Sequence, residues 1–167
     1  MLENTRRPRI TAAIFFLSAC TASSMAIAQQ GIVQMDFGDD RSDYANNGEC
    51  DDPRFTGRGM SDTLMTDDMG RDATDCRELF KKGRVQLSPL FKDPVDASPI
   101  DYGDNKGAYA DDNECDDIRF HTPEAASTLY MVGDIGHDAS DCKAAVESGR
   151  ASWQGAAADP EQRRLFD

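Results

Sequence analysis

Residues 46–52 read "NNGECDD", Asn46 to Asp52, and residues 111–117 read "DDNECDD", Asp111 to Asp117. Each sets one cysteine between a polar turn and two carboxylates. The phrase is one end of a longer internal repeat. Residues 37–87 and 102–153 align with one single-residue insertion, opening "FGDDRSDYANNGECDDPRF" and "YGDNKGAYADDNECDDIRF". They close "DDMGRDATDCRELFKKGRV" and "GDIGHDASDCKAAVESGRA", whereas the middles, "TGRGMSDTLMT" and "HTPEAASTLYMV", agree poorly. Two like ends around a drifting middle imply ends joined in space by a tolerant loop.

The cysteines carry the same message. Cys50 and Cys76 belong to the first copy, Cys115 and Cys142 to the second. Four cysteines allow three connectivities. Only Cys50–Cys76 with Cys115–Cys142 makes each copy self-contained. Closing a loop of this length stabilises a copy by roughly 3–4 kcal/mol in the chain-entropy model. Units of about fifty residues need such staples because their cores are small.

One helix per copy is legible. Asp72 fits the N-cap of "ATDCRELFKK" and Gly83 its end, and Asp138 and Gly149 do the same for "ASDCKAAVES". Cys76, Leu79 and Phe80 share one face, as do Cys142, Ala145 and Val146, which puts each cysteine on the buried side. Weaker helical patterns surround Leu64-Met65 and Leu129-Tyr130-Met131. No strand pattern stands out. The expected fold is therefore small, irregular and mostly α with loops, in two tandem disulfide-stapled repeats. Residues 88–101 read as a Pro-punctuated linker whose Leu90, Phe91 and Val95 pack on a repeat. Residues 154–167 read as a frayed tail. Phe55 and Phe120 read as core aromatics, Tyr44 and Tyr109 as core residues with a wet hydroxyl, and Arg54 and Arg119 as braces for a carboxylate.

The N-terminus reads as an export signal over residues 1–28. Arg6, Arg7 and Arg9 precede a short apolar run, and Ala26-Ile27-Ala28 precedes Gln29. The alternative is the lipobox-like "LSAC", which would leave Cys20 lipidated. Either route leads to a periplasmic or secreted protein, membrane-anchored in the second case, in the oxidising compartment that disulfides require. No other apolar run is long enough to span a bilayer.

Of the 167 residues, the first 28 hold three Arg and one Glu, so residues 29–167 keep 15 Lys+Arg against 30 Asp+Glu, a net charge of −15. That excludes nucleic acid and anionic membrane surfaces as partners, both of which select basic patches. The expected partner is an unidentified protein or cell-envelope component.

Placement gives the acidity its meaning. Asn47, Asp51 and Asp52 flank Cys50, and Asp72 and Asp75 precede Cys76. Asp112, Asp116, Asp117, Asp138 and Asp141 do the same in the second copy. A Cys50–Cys76 bond gathers these oxygens, and like charges so gathered repel unless a cation neutralises them. Many oxygen ligands in an irregular loop suit Ca²⁺ better than Mg²⁺. The candidate metal ligands are Asn47, Asp51, Asp72, Asp75, Asp112, Asp116, Asp138 and Asp141. The bland alternative stands beside this: Asp72-x-x-Asp75 and Asp138-x-x-Asp141 also fit a capping box, and Asn47-Gly48 fits a turn.

"NNGECDD" with "DATDC" resembles the Notch-type LNR module, which has an Asn-Gly-x-Cys-Asp turn and an Asp-x-x-Asp-Cys ending. The resemblance implies a small, irregular, disulfide-held unit binding one Ca²⁺. It implies Asn47, Asp72 and Asp75, then Asp112, Asp138 and Asp141, as side-chain ligands, and the same pairs of cysteines as disulfide partners. It covers only the two ends of each copy. An LNR has six cysteines, whereas each copy here has two with a longer span between them.

Catalytic signatures are missing. The sequence has no G-x-S-x-G, H-E-x-x-H or P-loop. His121 and His137 are matched in the first copy by a Thr and Arg71. Single cysteines do not make a structural zinc site. "DYANNG" fails as an EF-hand, with Ala45 at a ligand position and Arg54 in place of the required Glu. The expectation is a non-enzymatic binding protein with two structural calcium sites, or a metal-free stapled interaction or inhibitor module, with a small periplasmic hydrolase ranking last.

Overall fold

The computed structural model describes residues 35–95, 98–123 and 130–158. The leader region, Cys20, Leu129 and residues 159–167 of the tail lie outside them. Among the described residues no helix is long and apolar enough to cross a membrane.

Both disulfides form as Cys50–Cys76 and Cys115–Cys142. Helix α1 spans Ala73–Lys81 and α2 spans Ala139–Glu147. Each ends in a Schellman turn. After α1, Gly83 at φ 65° donates to the Phe80 carbonyl and Arg84 to that of Leu79. After α2, Gly149 and Arg150 repeat these bonds to Val146 and Ala145.

The expectation of a mostly α fold is wrong. Strand β1 (Phe55–Gly57) pairs antiparallel with β2 (Val85–Leu87), and β3 (Phe120–His121) with β4 (Ser152–Trp153). Short 3₁₀ turns at Thr66–Asp68, Pro89–Phe91, Val132–Asp134 and Gly155–Ala157 complete the order. Strands of two or three residues are too short for an alternating pattern to register. They pair because the helix between them returns the chain past its start. In the first half, the isolated Leu64-Met65 stretch is likewise not helical; the 3₁₀ turn begins after it.

Each half carries its own small core. Phe37, Phe55, Leu79 and Val85 surround the first disulfide, and Phe120, Ala145 and Ala151 the second. Phe37 stacks on Phe55, and Tyr102 on Phe120, both at 5.4 Å between ring centres. Tyr44 and Tyr109 stand at the surface, each 49 % exposed, contrary to expectation, and Phe80 is also exposed. Gly38 and Gly103 are required as glycine. A Cβ there would lie 1.8 Å from the Gly70 oxygen or 1.9 Å from the Gly136 oxygen, and both have φ near 80°.

The halves share a third core made of Met69, Phe91, Ile118, Tyr130, Ile135 and Ala158. The contacts are reciprocal. Arg54 Nη1 donates to the Ala156 carbonyl beyond the second half, and Arg119 Nη1 to the Leu90 carbonyl beyond the first. Thr66 Oγ1 donates to the Tyr130 carbonyl. Residues 88–91 are thus packing elements. Phe91 is buried and Val95 is exposed. In the tail, Gly155 and Ala158 are buried rather than frayed.

Candidate functional site

The disulfide lays the loop after Cys50 against the start of α1. Asp72 stands at the N-cap position, yet its side chain makes no capping bond. Its Oδ2 instead accepts the Asp51 amide at 2.7 Å, across the staple. Asp138 repeats this with the Asp116 amide at 2.6 Å. Capping comes from elsewhere. Asp39 and Asp104 carbonyls take the Ala73 and Ala139 amides, while Asp40 and Asn105 side chains take those of Thr74 and Ser140. The capping-box reading of Asp72 and Asp138 does not describe this geometry.

Beneath each site lies a buried ion pair. Arg54 grips Asp52 through Nε and Nη2, and Asp52 Oδ2 also accepts the Gly70 amide. Arg119 and Asp117, both fully buried, repeat the arrangement with Gly136. These pairs carry their own compensation, so Asp52 and Asp117 are bracing groups.

The remaining buried carboxylates do not. Asp51, Asp68 and Asp72 in the first half and Asp116, Asp134 and Asp138 in the second are all buried. Among the described residues, Asp68 Oδ2, Asp72 Oδ1, Asp116 Oδ2, Asp134 Oδ2 and Asp138 Oδ1 have no hydrogen-bond partner. Burial, then the repulsion of Asp75 and Asp51, pushes the Asp72 carboxyl up to about 7. Burial, then Asp141 and Asp116, pushes Asp138 up to about 7. Burial, then Asp112 and Asp134, raises Asp116 to about 6. Asp68 and Asp134 are raised by burial as well. Ser42 Oγ donates to Asp68 Oδ1 at 2.7 Å, and the Ala108 backbone offsets part of the rise at Asp134.

The other sequence-predicted ligands are engaged in the loop. Asn47 Oδ1 accepts the Glu49 amide and its Nδ2 donates to Asp51. Asp75 accepts the Gly48 amide. Asp112 Oδ1 accepts the Glu114 amide, and Asp141 Oδ2 takes those of Asp112 and Asn113. They shape the turn and tie it to the helix. Asp68 and Asp134, missed from sequence, take a more central place. Each lies four residues before the N-cap aspartate, a spacing visible in "DDMGRD" and "GDIGHD".

Among the described residues, the sets of three acidic, Cys or His side chains with donor atoms within 4.8 Å of one another are Cys50–Asp72–Cys76 and Cys115–Asp138–Cys142. Their sulfurs are in disulfides and offer no thiolate to a metal. For the same reason the 3.5 Å approach of Cys76 Sγ to Asp72 is a contact without a proton. The carboxylates are neighbours without converging on a single point.

His137 Nδ1 lies 2.5 Å from Asp104, which Lys106 and then His137 draw down to about 2. A surface cavity of about 240 Å³ is lined by Thr56, Gly57, Arg58, Gly83, Arg84, Val85 and Gln86, and so by neither histidine. In comparisons with known proteins, no family model, no curated protein and no solved structure matches the chain.

Proposed function

We propose that the chain is an exported, non-enzymatic binding protein in which each half holds one structural Ca²⁺ beside its disulfide. One observation carries this reading. The same two acidic positions in both halves, Asp68 with Asp72 and Asp134 with Asp138, bury a carboxylate oxygen that no group among the described residues satisfies. A buried polar group without a partner costs about 1–3 kcal/mol, more when charged, and one sequence incurs that cost twice in the same place. A hard cation removes it. On drawing together around the ion, Asp51, Asp68 and Asp72 would supply oxygens in one half, and Asp116, Asp134 and Asp138 in the other, with backbone carbonyls and water completing the shell. The likeness of the loop ends to LNR modules points the same way, and the two disulfides fit an oxidising compartment. The ion would rigidify the loops that carry Tyr44 and Tyr109, which are exposed for a protein or cell-envelope partner.

The wide spacing of the carboxylates favours a second reading, a metal-free stapled interaction module in which Asp72 and Asp138 stay protonated. Thermal unfolding of the oxidised protein separates the two. Native-state binding raises the melting temperature in millimolar calcium over chelator, and Asp68→Asn with Asp134→Asn shrinks that difference. Equal melting temperatures in calcium and chelator would leave the metal-free reading.

A further inference from the structure

We propose a separate binding site, for a doubly charged oxyanion of the phosphate or sulfate-ester type, between Arg58 and Arg84 at the open end of the β1–β2 ribbon. It is independent of the cation sites and lies at the opposite end of α1.

The argument starts from register. Phe55 opposes Leu87, Thr56 opposes Gln86 and Gly57 opposes Val85. One further step brings Arg58 and Arg84 together just past the paired ends of the two strands. Like charges directly opposite destabilise a ribbon. Yet neither guanidinium has a side-chain hydrogen bond or ion pair among the described residues, in a chain with far more acids than bases. Instead both residues line the cavity of about 240 Å³, together with Thr56 and Gln86. Two guanidinium forks carry the charge that balances a dianion, and their geometry suits a tetrahedral oxyanion. The backbone turn at Gly83 leaves the mouth open: a Cβ there would meet nothing within 4 Å. Lys81 and Lys82 at the end of α1 answer to the helix dipole. Arg58 follows β1 and has no such reason to be basic.

The second half serves as an internal control. Its equivalent of Arg58 is Pro123, and Arg150, the equivalent of Arg84, donates from Nε to Ser148. His121 and Ser152 stand where Thr56 and Gln86 do. The paired cations belong to the first half alone.

Titration of the ¹⁵N-labelled oxidised protein with sodium sulfate, against sodium chloride at matched ionic strength, tests the site. The expected result is saturable shifts at the amides of residues 56–58 and 83–86 and at the two Arg Nε–H groups, with none around Arg150. Arg58→Gln and Arg84→Gln each weaken sulfate binding about tenfold or more, the loss of a charge-assisted hydrogen bond. In chloride both variants melt no lower than the parent, because one of two opposed like charges is gone. Glycerol 3-phosphate competing at lower concentration than sulfate assigns the site to an ester-borne phosphate, and equal competition assigns it to the free anion. Shifts that only track ionic strength, or binding unchanged in both variants, overturn the proposal.

Discussion

Around the disulfides the two halves of the molecule share their main bonds; elsewhere they part. Both bury an Asp–Arg pair, both run an amide from the cysteine loop to the N-cap aspartate, and both orphan the same oxygen of that aspartate. Around these shared bonds the chemistry drifts. Arg71 becomes His137, Ser42 becomes Gly107 and Arg58 becomes Pro123. The cores show how drift is absorbed. In the first half the third ring comes from α1, where Phe80 meets Phe55 edge-on at 6.3 Å. In the second half Val146 takes the helix position, and Trp153 of β4 meets Phe120 edge-on at 5.2 Å. Apolar packing accepts a ring from either side. Buried charge has few alternative solutions, so it is kept.

Removing a buried guanidinium is the harshest way to break the likeness. Arg54→Met and Arg119→Met each strand a buried aspartate, and each is expected to cost about 3–5 kcal/mol in urea unfolding. Arg119 also holds the Asp101, Tyr102 and Leu90 carbonyls, so its loss should be the larger. Next come the staples. Replacing either cysteine pair by alanine is expected to cost about 2–5 kcal/mol, with similar losses in the two halves. A loss confined to one half would end the equivalence.

A pH scan in chelator probes the orphaned carboxylates. Asp72 and Asp138 hold a proton up to about pH 7 in the fold, against an ordinary 3.8. Between those values the folded state binds more protons than the unfolded chain, so stability falls as pH rises through the window. The melting temperature in chelator is therefore expected to drop from pH 5 to pH 8, and calcium to suppress that drop. A chelator curve that rises over this range contradicts the burial of these groups. The smallest effect is at the true caps: Asp40→Ala and Asn105→Ala should each cost about 1 kcal/mol, measured in urea.

The repeat made much of this legible. It paired the cysteines, and helix caps and glycines placed α1 and α2 almost to the residue. The strands stayed hidden because two or three residues carry no period. Tyr44 and Tyr109 were misplaced because an aromatic beside a turn reads the same whether it faces in or out. Asn47, Asp75, Asp112 and Asp141 stood out by flanking the cysteines, yet backbone amides claim one oxygen of each. Asp68 and Asp134 escaped notice because they border the poorly matching middles. Their burial depends on 3₁₀ turns that no residue pattern announced.

The most direct test of the proposed cation sites is the stoichiometry of calcium binding, measured by titration calorimetry on the oxidised protein. Two ions per chain are expected, with dissociation constants of about 10⁻⁴–10⁻³ M, as in extracellular modules. Asp138→Asn should reduce the count to one and leave the first half's site intact. No binding at millimolar calcium, or two ions still bound after that substitution, would contradict the account.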